Sequence, residues 1–435
     1  MGRKEITGSA LLLLLGAAGC RGAAAPVSGG PPPDATVAVG RPDAGPPPRG
    51  VDLALLYSSN VQGHAGPCDC IRPLGGLARR ATVIARARAE ADATLIVDAG
   101  DLFDQTGTLR GLLRHGRGLA ASLPGTPRDL GPPATTPLGK AQLRQREGQS
   151  RSDRTARQLA AAVAAGGLDA FTPGERDLAL GVPVLKRLAA VGALPILSSN
   201  LTDKSGARLF ASERVFRVGE VPVGVFGVSA PPTPADAARW QAAGIQAAPP
   251  GPAAQAAIAA LRQQGAKVVV GLFHVGGAAE TRRLVAGLQG LDWAVLGHSA
   301  LNLETPERAG DARLLEALAE GKNLGRLDLH VVGGSLAFVD AAARPDLEAI
   351  LADHRGQLGA YNRSLGAMDP AALEAYYQQR RAQLQAAIAR ESAALARLPR
   401  TVTGSWFENR IIPLDATIPD DPRVSGLVQR LGPHL

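Results

Sequence analysis

Asp101, His274 and His298 are residue types that bind metals, and each stands just after a short apolar run. Asp101 ends Ala99-Gly100-Asp101 after the run 94–98; His274 opens His274-Val275-Gly276-Gly277 after 267–273; His298 lies in Gly297-His298-Ser299 after 292–296. Two further runs, 52–57 and 194–198, lead into Ser58-Ser59-Asn60-Val61-Gln62-Gly63 and Ser199-Asn200. Polar and glycine residues gathered at the carboxyl ends of strands mark where open α/β folds place their sites. Five such ends predict one mouth in which a carboxylate and two imidazoles can hold a divalent transition metal.

The elements that must position these residues are legible from pattern. The runs, with 221–228 as a sixth, are short, rich in Val, Ile and Leu, and without alternation, as strands buried on both faces are. Ala- and Arg-rich helical stretches at 77–91, 154–166, 183–191, 252–265 and 279–288 separate several of them, which predicts an α/β layered sheet. The 435 residues, 45% hydrophobic and 20% charged, suffice for a sizeable core. Three cysteines exclude a disulfide scaffold and a multi-finger zinc protein. The absence of a CxxCH pattern excludes a c-type haem site.

The balance of 47 basic against 39 acidic residues leaves +8, nearly all from arginine. The N-terminus argues against nucleic acid as the reason. Arg3 and Lys4, the apolar run Leu11 to Leu15, and Ala17-Ala18-Gly19 before Cys20 have the layout of a secretory signal. Small residues ending on Cys resemble a bacterial lipoprotein signal, with residues 1–19 removed and Cys20 lipidated. That reading places the protein in the cell envelope, anchored to a membrane and facing the periplasm or exterior. Residues 21–50, with eight prolines and six glycines, read as an extended tether. A second low-complexity stretch, about 107–150, reads as a surface insertion.

The order SSNVQG, GGLARRA, DAGDLF, GERD, SSNL, FHVGG and GHSA resembles the calcineurin-like metallophosphoesterases, in particular their bacterial 5′-nucleotidase branch. The resemblance covers about residues 51–340 and implies a four-layer α/β/β/α sandwich with two metal ions at the ends of the central strands. It implies first-metal ligands at positions 60, 62, 101 and 300. Here Asn60, Gln62 and Ala300 stand there, and only Asp101 is a strong ligand. The implied second-metal ligands are Asp101, Glu175, His274 and His298, a sound set for one Zn, Mn or Fe ion. Arg176 replaces the histidine that serves the family's transition state; it can grip phosphate oxygens, and Arg176 with Asp177 form a candidate catalytic pair or a plain turn ion pair. Cys68 and Cys70, with His64, are candidate replacement ligands for the emptied site, or else a disulfide or two packed thiols.

Residues 51–345 are therefore expected to form the metallophosphoesterase-like domain, and 346–435 a helical extension and tail. Asp369-Pro370 opens a helix with an apolar stripe at Tyr377, Leu384, Ile388, Leu395 and Leu398. The large second domain of the nucleotidases has no counterpart in this reading, so adenosine specificity does not carry over. The expected function is a membrane-anchored lipoprotein that hydrolyses phosphoesters weakly or not at all through a single-metal site. The alternative is a non-catalytic binding or scaffold protein on the same fold. The expected partners are a membrane and a phosphoester ligand, not nucleic acid, and no oligomeric state is assigned.

Overall fold

The computed structural model describes residues 50–68, 71–103, 154–218, 221–332, 336–364 and 374–431. The signal segment 1–19, Cys20, the tether to residue 49, Cys70, the insertion at 107–150 and Asp369-Pro370 lie outside the described residues. In chain order the strands are β1 Val51–Ser58, β2 Ala93–Asp98, β3 Ala170–Phe171, β4 Leu201–Thr202, β5 Glu213–Val218, β6 Val221–Ser229 and β7 Gln246–Ala247. Then come β8 Val268–His274, β9 Trp293–Leu296, β10 Glu307–Ala309, β11 Ala312–Leu315, β12 Asn323–Val331, β13 Val339–Asp340 and β14 Trp406–Pro413.

They form two six-stranded mixed sheets, β13-β14-β12-β1-β2-β3 and β10-β11-β9-β8-β6-β5, with β4 and β7 as a small ribbon. The runs that lead into the mouth are parallel where they pair: β1 with β2, β2 with β3, β6 with β8, and β8 with β9. Pleating then sorts the side chains. Leu53, Leu55 and Tyr57 of β1 meet Val225, Val270, Leu272 and Val295 of the other sheet in one shared core. Ala54 and Leu56 point the opposite way, onto Val83, Ile84 and Ala87 of the helix Leu77–Glu90. The second sheet's outer face packs Phe226, Val269 and Phe273 against Ile258 and Leu261 of the helix Pro250–Gln263. The order is helix, sheet, sheet, helix: the α/β sandwich that the resemblance implies.

The expected helices appear as Leu77–Glu90, 154–166, Val182–Ala190, Pro250–Gln263 and Ala278–Ala286. One expected strand does not. Residues 194–198 make only isolated bridges, Ile196 to Phe171 and Leu197 to Ala211. Pro195 lacks an N–H, and the Ile196 N–H turns back to Leu194 O at 3.0 Å, so no ladder can run.

The tail expected beyond residue 345 also differs, because it returns to the first sheet. β14 pairs antiparallel with β12 along its whole length, and Phe407 is buried in the inter-sheet core. Only the helices Ala343–Ser364 and Glu374–Leu395 stand apart as a hairpin, packed chiefly on each other. No helix among the described residues is long and apolar enough to cross a membrane.

Candidate metal centre

The loop after β1 crosses the loop after β2 as a short backbone ladder. Asn60 N donates to Gly100 O at 2.7 Å, Gln62 N to Asp101 O at 2.8 Å, and Gly63 N to Leu102 O at 2.8 Å. Asn60, Gln62, Asp101 and His298 all have positive φ, between 53° and 62°. Left-handed backbone in non-glycine residues costs of order 1 kcal/mol each and persists only where the surroundings enforce it. The loop that carries Asn60 and Gln62 is thus held in a turned backbone by its ladder to the Asp101 loop. Glu175 and Arg176 enter from the first turn of the helix Glu175–Leu178, just after β3. His274 is the last residue of β8, and His298 follows β9. Two glycines make the close approach possible. A Cβ on Gly174 would run into Asp101 Oδ1 and the His274 ring, and one on Gly297 would run into Ala99 O.

Asp101, Glu175, His274 and His298 converge, with one donor atom of each inside a 4.8 Å span. Glu175 lies between the imidazoles: Oε2 is 2.7 Å from His274 Nε2, and Oε1 is 3.2 Å from His298 Nδ1. Asp101 Oδ1 is 3.5 Å from His274 Nε2. The other ring nitrogen of His274 donates to Ala99 O at 2.7 Å, which leaves Nε2 as the one aimed at the carboxylates. Burial alone would depress His274, but Asp101, Glu175 and the Ala99 bond outweigh it and raise it to about 10. Burial would likewise raise Glu175, yet its bonds to the two imidazoles hold it below the usual carboxylate range. The field that keeps a proton on Nε2 would equally hold a cation there. With two imidazoles and two carboxylates, the set fits one divalent transition metal.

Of the positions that the resemblance gives to a first metal, Asn60 is engaged elsewhere. Asn60 is buried, its Oδ1 accepts from His298 N at 3.0 Å, and its Nδ2 donates to Ser299 O. An aspartate could not donate to that carbonyl, so the amide ties β1 to β9. Ala300 is exposed and Gln62 half-buried. Arg176 places Nε 3.2 Å from Asp101 Oδ2, while its backbone N–H donates to Asp101 Oδ1 at 3.0 Å.

Asp177, expected in a catalytic pair, is buried and committed to the backbone. Oδ2 accepts from Asp101 N and Gly174 N, each at 2.7 Å, and Oδ1 from Phe103 N at 3.0 Å. It is a positioning residue that shapes the Asp101 loop. Cys68 is disulfide-bonded, which removes the thiolate that a replacement ligand requires. His64 is outside the cluster. Sequence reading missed Glu316, which is fully buried with Oε2 accepting from Ser299 Oγ at 2.6 Å. An acid set between the strand Ala312–Leu315 and Ala317 was the available signal.

No family model matches the sequence, and no curated protein does either. Solved structures do match. The chain is similar to the Thermus thermophilus sulfate thiohydrolase SoxB at 17% identity and TM-score 0.54, over 89% of this chain and 61% of that one. A 5′-nucleotidase precursor from the same species matches at 17% identity and TM-score 0.51, over 87% of this chain and 58% of that one. The calcineurin-like phosphoesterase YfkN from Bacillus subtilis matches at 14% identity and TM-score 0.52, over 88% and 97%. The chain thus spans about three fifths of the length of the first two. These likenesses show a shared fold: the chain is built on the same α/β sandwich as these solved 5′-nucleotidase and calcineurin-like phosphoesterase structures.

Proposed function

We propose that the chain is an envelope-anchored, metallophosphoesterase-fold protein whose site holds one divalent ion, Zn, Mn or Fe, and turns over phosphoesters far more slowly than a two-metal enzyme. The observation that carries this reading is the contrast between the two halves of the site. Four strong donors converge within 4.8 Å on one side, and the Asn60 amide is spent on His298 and Ser299 on the other. Asp101, Glu175, His274 and His298 would hold the ion, which when bound supplies Lewis acidity toward a phosphoryl oxygen and a more acidic water. Ala99 O fixes the His274 tautomer, and Asp177 fixes the Asp101 loop by its three backbone bonds. Each 1.4 kcal/mol of lost transition-state stabilisation costs about tenfold in rate, so a missing second ion weighs heavily.

Metal analysis of the purified chain tests this directly. One ion per chain is expected; His274→Ala should remove it, and Gln62→Ala should leave it in place. Two tightly held ions, or brisk turnover of a generic phosphomonoester, would sink the reading. Phosphoester binding with no turnover at all would favour the non-catalytic alternative. The anchor rests on Cys20 following Ala17-Ala18-Gly19. Cys20→Ala should move the protein to the soluble fraction; unchanged membrane association would end that part.

A further inference from the structure

We infer that the Arg176 guanidinium stands where the first cation of a two-metal site would be, so that Asp101 bridges one exchangeable ion and one fixed organic cation. This deepens the single-metal reading and rests on it. The two oxygens of Asp101 face different ways. Oδ1 lies 3.5 Å from His274 Nε2, on the side of the ligand cluster, and Oδ2 lies 3.2 Å from Arg176 Nε. The Arg176 side chain is only 29% exposed and Asp101 3%, so water screens this pair less than a surface pair.

Gln62 and Asn60, at the positions the resemblance gives to the first ion, carry no charge. Gln62 N is bonded to Asp101 O, and Asn60 Nδ2 to Ser299 O beside Ala300. A second dication on Asp101 Oδ2 would have to sit against the Arg176 guanidinium, and repulsion of like charge opposes that. The same two-residue turn thus makes both changes at once. Glu175 adds a carboxylate to the retained ion, and Arg176 adds a cation where the other has gone.

The test restores the lost ligands with and without the arginine. Gln62→His/Ala300→His, equilibrated with Mn or Zn and desalted, should still carry one ion per chain by plasma mass spectrometry. Adding Arg176→Ala should raise it to two. A second ion in the double variant, or no gain in the triple, overturns the assignment. Because the triple must fold to report, Arg176→Gln alone is read by Mn titration calorimetry. Its one ion should bind roughly tenfold more tightly than in the wild type, because a like charge has left the neighbourhood. Arg176→Lys should stay near the wild-type affinity, and an Arg176→Gln affinity equal to or weaker than wild type also overturns the assignment. A wild type that takes up no ion would sink the single-metal reading instead, and the difference between double and triple variants would still report on Arg176.

Discussion

Glu316 belongs to no ligand set, yet it lies under the loop that carries His298. It is fully buried, one oxygen accepts from Ser299 Oγ, and Oε1 has no hydrogen-bond partner among the described residues. Burial pushes its carboxyl up to about 7 from an ordinary 4.5, against the pull of the Ser299 bond. The folded chain therefore keeps this proton to higher pH than the unfolded chain does. The stability it contributes is complete below about 4.5 and is lost as pH rises through about 7. Glu316→Gln resembles the protonated acid at every pH. Urea unfolding should find it close to wild type near pH 4.5 and more stable by about 2–3 kcal/mol at pH 8. A difference that does not change with pH would show that Glu316 is already ionised in the fold.

At the scale of elements, the C-terminal part divides into a removable piece and an essential one. The helices Ala343–Ser364 and Glu374–Leu395 hold each other by the Tyr361–Tyr377 ring contact at 5.6 Å and by a 2.9 Å bond between His354 and Glu391. The stripe of the second helix therefore finds its partner within the chain. Arg344 closes the base by donating to Leu395 O at 3.0 Å and Leu398 O at 2.8 Å. Below that base the two stems are already joined, Val339 N to Ser405 O at 3.1 Å and Ala341 N to Phe407 O at 2.8 Å. Replacing 345–398 with a short Gly/Ser linker should leave a cooperative melt within a few degrees of wild type. Ending the chain at residue 404 should not. It removes Phe407, whose ring meets Trp293 at 5.1 Å, and Asn409, which accepts from the buried Tyr57 hydroxyl at 2.8 Å. Loss of a buried Phe alone costs about 3–5 kcal/mol, so the truncated chain should lose its cooperative melt or precipitate. Circular dichroism melts of the two forms decide between these outcomes, and equal behaviour would refute the division.

For the whole molecule, the cluster is a seam. Asp101 and Glu175 follow strands of the first sheet, and His274 and His298 come from the second. An ion held by all four would tie the sheets together and stabilise only the folded state. At free ion about a hundredfold above its Kd that is worth about 2.7 kcal/mol. Stripping with a chelator should then lower the melting temperature of the wild type by roughly 3 °C. The same treatment should leave His274→Ala unmoved. A wild-type melting temperature indifferent to chelator would contradict an ion bridging the sheets.

What the sequence determined by itself is whatever local pattern encodes. Strands buried on both faces read as unbroken apolar runs, so β1, β2, β6, β8 and β9 were legible within a residue or two, as were the helices between them. Polar ends of those strands located Asp101, His274 and His298, because in a parallel sheet such ends gather on one edge. β12 does not stand out as an apolar run, because Arg326, Asp328 and His330 alternate with Leu327, Leu329 and Val331. Only the fold brings Arg326, Asp328 and Arg410 together as ion pairs on one face of neighbouring strands. The roles within Gly174-Glu175-Arg176-Asp177 were likewise decided in three dimensions. Helical geometry sends consecutive side chains in different directions, so Glu175 meets two imidazoles, Arg176 meets Asp101 and Asp177 meets three backbone amides. Those partners lie up to 123 residues away in the chain, and no spacing within the motif records them.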